Sequence, residues 1–273
     1  GHAECVELLL NAKADIKAKG YLGETALMSA VREDRVACTQ MLIDANADIH
    51  TKNEFGDNAL TLAAAKGATE CVKLLIDARA RVDVKGTGGK TALMLSAQNA
   101  HTTSTEMLIN AHADLTVRDE DGRTALMWAS GYGRAELALA IIHFRGDVDR
   151  AYQNARPPMT LADVENRMTC AQHLIDANAD IDAQDRFGMT ALMWAALNRE
   201  TACVRLLLDA KADLEATDSG GDTALMWAAW SSDPECVQLL VDVETQLNSS
   251  KPKEIIPLWK RLLRNVFSYL GIF

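Results

Sequence analysis

Thr223-Ala-Leu-Met-Trp-Ala-Ala229 decides how the chain reads, because the chain keeps returning to it. The same seven residues stand at Thr190 to Ala196, and near-copies begin at Thr25, Thr91 and Thr124. Asn58 opens a looser copy, Asn-Ala-Leu-Thr-Leu-Ala-Ala. All six starts are separated by multiples of 33 residues. The one skipped register, at Pro157, holds Pro-Pro-Met-Thr-Leu-Ala-Asp, a degraded version in frame. A fixed period of this length marks a stack of small units, each touching only its neighbours.

Within a unit, Gly stands two residues before the Thr, at 23, 56, 89, 122, 188 and 221. Glycine there supplies the positive φ of a tight turn. Thr then offers its hydroxyl as a helix N-cap, and Asn58 does the same by its side-chain oxygen. Ala-Leu-Met-Trp-Ala-Ala forms a short first helix. A second apolar run such as Cys203 to Ala210 forms the next, closed by an Ala-Asp pair as at Ala212-Asp213. Full units fall at 20–52, 53–85, 86–118, 119–151, 152–184, 185–217 and 218–250. Residues 1–19 are a partial unit, and 251–273 form a tail outside the period.

Turn, short helix, turn, longer helix every 33 residues resembles the ankyrin repeat family over about 250 of the 273 residues. Asp119, Asp185 and Asp218 match the opening Asp of the family pattern, and Gly1-His2 its mid-unit Gly-His. Two departures are systematic. Ala replaces the Pro of the first helical turn, and Met replaces the His at 28, 94, 127, 193 and 226. The second change removes a Thr–His polar link and leaves an apolar contact. The resemblance implies an all-α solenoid of stacked helix-turn-helix units. It also implies a non-enzymatic scaffold that binds a protein partner, with no cofactor, no metal and no catalytic residues.

Composition agrees with a thin stacked core: 48% hydrophobic residues, rich in Ala, with 5% aromatics. Net charge is −10, which opposes binding to phosphate-rich nucleic acid. Six cysteines, Cys5, Cys38, Cys71, Cys170, Cys203 and Cys236, share one phase of the second helix. Stacked helices stand about 8–10 Å apart, beyond the roughly 7 Å reach of a disulfide. All six are therefore expected to be free, buried and slow to react, which suits a reducing, cytoplasmic setting. Lys85-Gly-Thr-Gly-Gly-Lys-Thr91 has the look of a phosphate-cradling loop, but no strand feeds it and the repeat frame already explains Gly89 and Thr91. Arg145-Gly-Asp147 falls where other units carry x-Ala-Asp, and is read as part of the repeat.

In the ankyrin family the turn tips and the end of the first helix line a concave partner-binding face. That resemblance places Tyr21, Leu22, Phe55, Tyr132, Arg186, Phe187, Met189, Leu197 and Trp230 on it, as exposed contact residues. The ladder of Leu62, Leu95, Trp128, Leu161, Trp194 and Trp227, one phase further in, reads as half-buried core.

Two stretches break the pattern. In the 152–184 window the turn Gly has become Ala155, and Thr160-Leu-Ala-Asp163 is a displaced capping box. Its first helix is expected to start about three residues late. The tail carries Lys251, Lys253, Lys260, Arg261 and Arg264 against Glu254, a charge of +4. Leu258, Trp259, Leu262, Leu263, Val266, Phe267 and Leu270 recur there at helical spacing. Such a helix suits a cap over the last unit, and also an interfacial membrane anchor. The alternatives to a free-standing scaffold are therefore a membrane-associated adaptor, held by 251–273, and the targeting arm of a longer enzyme.

Overall fold

The computed structural model of the chain describes residues 1–131 and 161–248, all of them helices, turns and connectors with a single isolated bridge between Lys19 and Thr25. Helices of an inner row are α2 (Ala26–Arg32), α4 (Ala59–Lys66), α6 (Ala92–Gln98), α8 (Ala125–Gly131), α10 (Ala191–Leu197) and α12 (Ala224–Trp230). An outer row holds α1 (Ala3–Asn11), α3 (Val36–Asp44), α5 (Thr69–Asp77), α7 (Thr102–Asn110), α9 (Leu161–Asp176), α11 (Thr201–Asp209) and α13 (Pro234–Asn248). From α2 onward, each helix packs on its row neighbours and on its partner in the other row. Helices of seven to nine residues do not hold in water alone, so the stack is what stabilises them.

Local chemistry starts five of the six inner helices as the sequence predicts, and at α12 the expected cap is not made by the Thr223 side chain. Thr25, Thr91, Thr124 and Thr190 accept a hydrogen bond from the amide three residues on, at 3.3–3.4 Å, and Asn58 does so at 2.9 Å. The Met in the family His position is more than an apolar contact. The Thr25 and Thr190 amides donate to the Sδ of Met28 and Met193 at 3.5 Å, a weak return bond that completes the cap. The turn glycines have the expected positive φ, and a second demand falls on Gly122. Its φ is 81°, and a Cβ there would stand 2.9 Å from the amide nitrogen of Arg186 in the next turn. Only glycine meets both.

Successive units are tied by a repeated staple. Lys19 Nζ donates to the Lys52 carbonyl, Lys52 Nζ to that of Lys85, and Lys85 Nζ to that of Arg118, at 2.7–3.3 Å. Each step spans 33 residues. Arg118 then donates to the carbonyl of Gln184, a step of 66, and Gln184 Nε2 to Thr217, again a step of 33.

Among the described residues, windows 119–151 and 152–184 contribute one stacked helix pair, α8 from the first and α9 from the second. Three further contacts agree. Arg186 N–H donates to the Asp121 carbonyl at 3.0 Å, as Ser219 N–H does to Phe187 one period away. Asn198 Nδ2 donates to the carbonyl of Gly131, 67 residues distant, where Asn99 reaches Ala65, 34 distant. Cys170 Sγ lies against Thr105, 65 residues away, as Cys71 lies against Thr39, 32 away. From Leu161, the first described residue of window 152–184, a helix runs 16 residues to Asp176 where α3 has nine, and the displaced capping box at Thr160 falls at the edge of the described residues.

Five of the six thiols are buried, at the shared phase. Cys5 is exposed, against expectation, because α1 is covered mainly on the side of α3 and none of its residues is buried. Burial pushes Cys71 up, Cys170 to about 11, and Cys203 and Cys236 to about 12.

Candidate protein-binding face

Three of the turn tips are built on a carboxylate, and a fourth on the side-chain amide of Asn53. In the turn that opens at Asp185, Oδ1 accepts the amides of Phe187 and Met189, both at 2.9 Å. Asp119 and Asp218 make the equivalent pairs at 2.8–2.9 Å, and Asn53 makes them at 2.9–3.0 Å. The second oxygen has another task. Oδ2 of Asp119, Asp185 and Asp218 accepts the indole N–H of Trp128, Trp194 and Trp227 at 3.0–3.1 Å. An indole N–H removed from water needs an acceptor, and only Asp offers one while its other oxygen holds the turn. Where the turn opens with Asn53 the ladder position is Leu62, and where it opens with Gly86 it is Leu95. Burial raises the Asp185 carboxyl above its ordinary range, against the pull of its amide partners, Trp194 and Arg123.

Cations fill the space between the indoles. Lys90 Nζ lies 3.9 Å from the centre of the Trp128 ring. The guanidinium of Arg123 stands 4.9 Å from both Trp128 and Trp194, sandwiched between them. Arg123 is buried, and Asp121 and Asp185 hold it at 3.5 and 3.9 Å. The middle of the ladder is thus deeper than half-buried: Trp128 and Trp194 are core, while Leu62, Leu95 and Trp227 are partly covered. Leu161 lies beyond the described side chains.

The proposed contact residues divide on this frame. Tyr21 is 86% exposed, and Phe55 is exposed at its turn tip. Leu22 and Phe187 are half-buried. Arg186 keeps 55% of its side chain in solvent while lying 4.6 Å from the Phe187 ring and 2.7 Å from Asp121. Two expectations are corrected. Met189 is 1% exposed and Leu197 4%, so neither is a free contact residue. Met189 occupies the register at which Arg123 slots between indoles, and Leu197 faces the following unit through α10 and α12. Trp230, at the register of Leu197, is 49% exposed because it stands in the last described unit. Tyr132 lies outside the described residues.

The glycine-rich stretch at 85–91 is spoken for. Thr87 donates its amide and hydroxyl to the carboxylate of Asp57 at 2.9 and 2.6 Å, an acidic neighbour that repels phosphate. Its two lysines are engaged on Arg118, Gln98 and Trp128.

A family model described as ankyrin repeats (3 copies) matches residues 1–53, 36–119, 60–154 and 159–251. The chain belongs to the ankyrin repeat family. Solved structures agree on the fold of this ankyrin array. The human ASB11 ankyrin repeat domain superposes with a TM-score of 0.69 at 18% identity, over 92% of this chain and 95% of that one. A chain from the complex of the Bdellovibrio bacteriovorus predatory endopeptidase Bd0816 with immunity protein Bd3460 gives 0.61 at 23% identity, over 82% and 99%. No curated protein sequence matches the chain. Ankyrin arrays are protein-interaction modules, typically without catalysis. Among the described residues no helix is long and apolar enough to cross a membrane.

Proposed function

We propose that this ankyrin array is a non-catalytic scaffold, working in a reducing, cytoplasmic setting, that holds a partner protein on its concave face. Arg186 and Phe187 carry this reading. They form a paired cation and ring, tethered by Asp121 and offered to solvent at a rigid turn tip. Arg and aromatic side chains held in place before binding contribute most to interface energy, because little entropy is lost on contact. Tyr21 and Phe55 present a second, separate group of exposed rings, with the units of α6 and α8 standing between Phe55 and Arg186. The complex of an endopeptidase with an immunity protein, in which a chain of this fold occurs, supports a protein as the ligand class.

The test is affinity capture with the full chain as bait, followed by titration of the recovered partner. Arg186→Ala with Phe187→Ala should weaken binding by roughly 100-fold, the effect of losing a central anchor. Glu120→Ala with Glu215→Ala, both exposed, should leave it within a few-fold. Equal effects from the two pairs would show that the partner uses another surface.

A further inference from the structure

The far side of the last described unit is an apolar face of a particular kind. In the unit before it, Met193, Ala196, Leu197 and Val204 are all buried. Their counterparts one period on, Met226, Ala229 and Val237, are half-buried and Trp230 is exposed. These are the positions through which one unit covers the next. Trp227 and Trp230 meet edge to face there, with ring centres 6.1 Å apart and planes at 73°. Among the described helices, α12 is packed by α10 and α13.

The charge around this face is one-sided. Residues 218–248 carry Asp218, Asp222, Asp233, Glu235, Asp242 and Glu244, and neither Lys nor Arg. The chain beyond α13 has the opposite character, with five basic residues and one Glu in 251–273. Its apolar residues from Leu258 to Leu270 recur every three or four positions, the spacing of a helix that is apolar on one side.

We propose that residues 258–270 dock in cis on this end face, as an amphipathic helix that takes the place of a following unit. Leu262, Leu263, Val266 and Phe267 supply an apolar side to set against the half-buried Trp227 and the exposed Trp230. Lys260, Arg261 and Arg264 meet the acidic rim. Three arguments select this occupant over others. The tail begins within a few residues of the end of α13, so tethering holds it at millimolar effective concentration. Its charge complements the unit it adjoins. An open end of a repeat array exposes core-type residues and needs a polar-faced cover. Trp230 then belongs to the array's own closure and not to the partner face, so the fate of one reading does not decide the other.

Hydrogen exchange on the full chain tests it, comparing the wild type with Phe267→Glu and with Trp230→Glu. Amides of 224–241 and of 258–270 should be protected together in the wild type. Each variant should speed exchange in both segments by roughly tenfold or more, since opening one side opens the other. Amides of 26–110 serve as the internal control for folding and should not change. Tail amides that exchange at free-chain rates in the wild type would overturn the proposal, as would Phe267→Glu leaving 224–241 untouched. Protection that rises with protein concentration would assign the face to a second copy. Protection of the tail only with vesicles of phosphatidylserine and phosphatidylcholine would make the tail a membrane anchor. Either of these two results also overturns docking in cis.

Discussion

Replacing Asp185 by Asn separates the two tasks of one carboxylate. Asn53 shows that an Asn in this place still accepts two turn amides, at 3.0 and 2.9 Å, so the turn at 185–189 should survive. What is lost is the acceptor for Trp194 Nε1, now 3.1 Å away, because the second atom becomes an amide nitrogen. Trp194 is buried, so no water replaces that acceptor. A hydrogen bond to a charged partner contributes about 1.5–3 kcal/mol, and a stranded buried donor costs the upper part of that range. Arg123 also loses its 3.9 Å carboxylate but keeps Asp121, which adds little. The single change should therefore cost about 2–3 kcal/mol. Trp194→Leu alone should cost roughly 3 kcal/mol through lost packing. The double variant recreates the natural Asn53–Leu62 pairing, in which nothing is left unpaired, so the two penalties should fall short of additivity by about 2 kcal/mol. Denaturant unfolding gives the global values. Exchange of the amides in 191–197 and 224–230 gives the local ones, since a repeat array need not unfold as one unit. An Asp185→Asn protein within about 0.5 kcal/mol of wild type, or a cycle additive to that precision, would refute the division of labour between the two oxygens.

Gly131 tests the doubled step. A Cβ there would stand 2.5 Å from Trp194 Cβ and 2.9 Å from its carbonyl carbon, so Gly131→Ala should destabilise by about 1–3 kcal/mol. A Gly131→Ala chain as stable as wild type would show that α8 and α10 are not direct neighbours. The thiols test burial: at pH 8 a maleimide should label Cys5 quickly in the native chain and the other five only on denaturation. The raised values of Cys170, Cys203 and Cys236 keep them protonated up to about 11–12, so raising the pH to 9 should not release them. Mass spectrometry counts the labels, and more than one fast site would contradict the burial of the shared phase.

Much of the fold was legible because each repeat states its own local rules. Thr190 caps, Gly122 turns and Cys203 is buried for reasons contained in a few neighbouring residues. The Asp–Trp lock was also present in the sequence, since Trp appears nine residues after Asp119, Asp185 and Asp218 and nowhere after Asn53 or Gly86. The signal is a pairing between positions, which periodicity alone does not expose. Burial of Met189 and Leu197 depends on which unit follows, a tertiary fact their own repeat does not contain. Phase told the same story for Leu197 and Trp230, yet one is covered and the other is not. The neighbour relation of 119–131 with 185–197 was hidden for the opposite reason. Near-identical units present near-identical surfaces, so the sequence fits either partner equally well.

That equivalence has a consequence for how such a chain can change length. The step from Arg118 to Gln184 spans two whole periods where its siblings span one, and its turn-to-turn amide bond and its Asn-to-carbonyl bond have the form found elsewhere in the stack. Contact surfaces here are interchangeable parts, and the permitted increments of length are whole multiples of a part. A duplication or loss of 33 residues, wherever it falls, leaves both broken surfaces matched, while a change of 20 matches neither. Heredity in an array of this kind is thereby quantised: the tolerated edits are set by the pitch of the stack, and partner faces such as the one around Arg186 can be moved along the chain without being rebuilt.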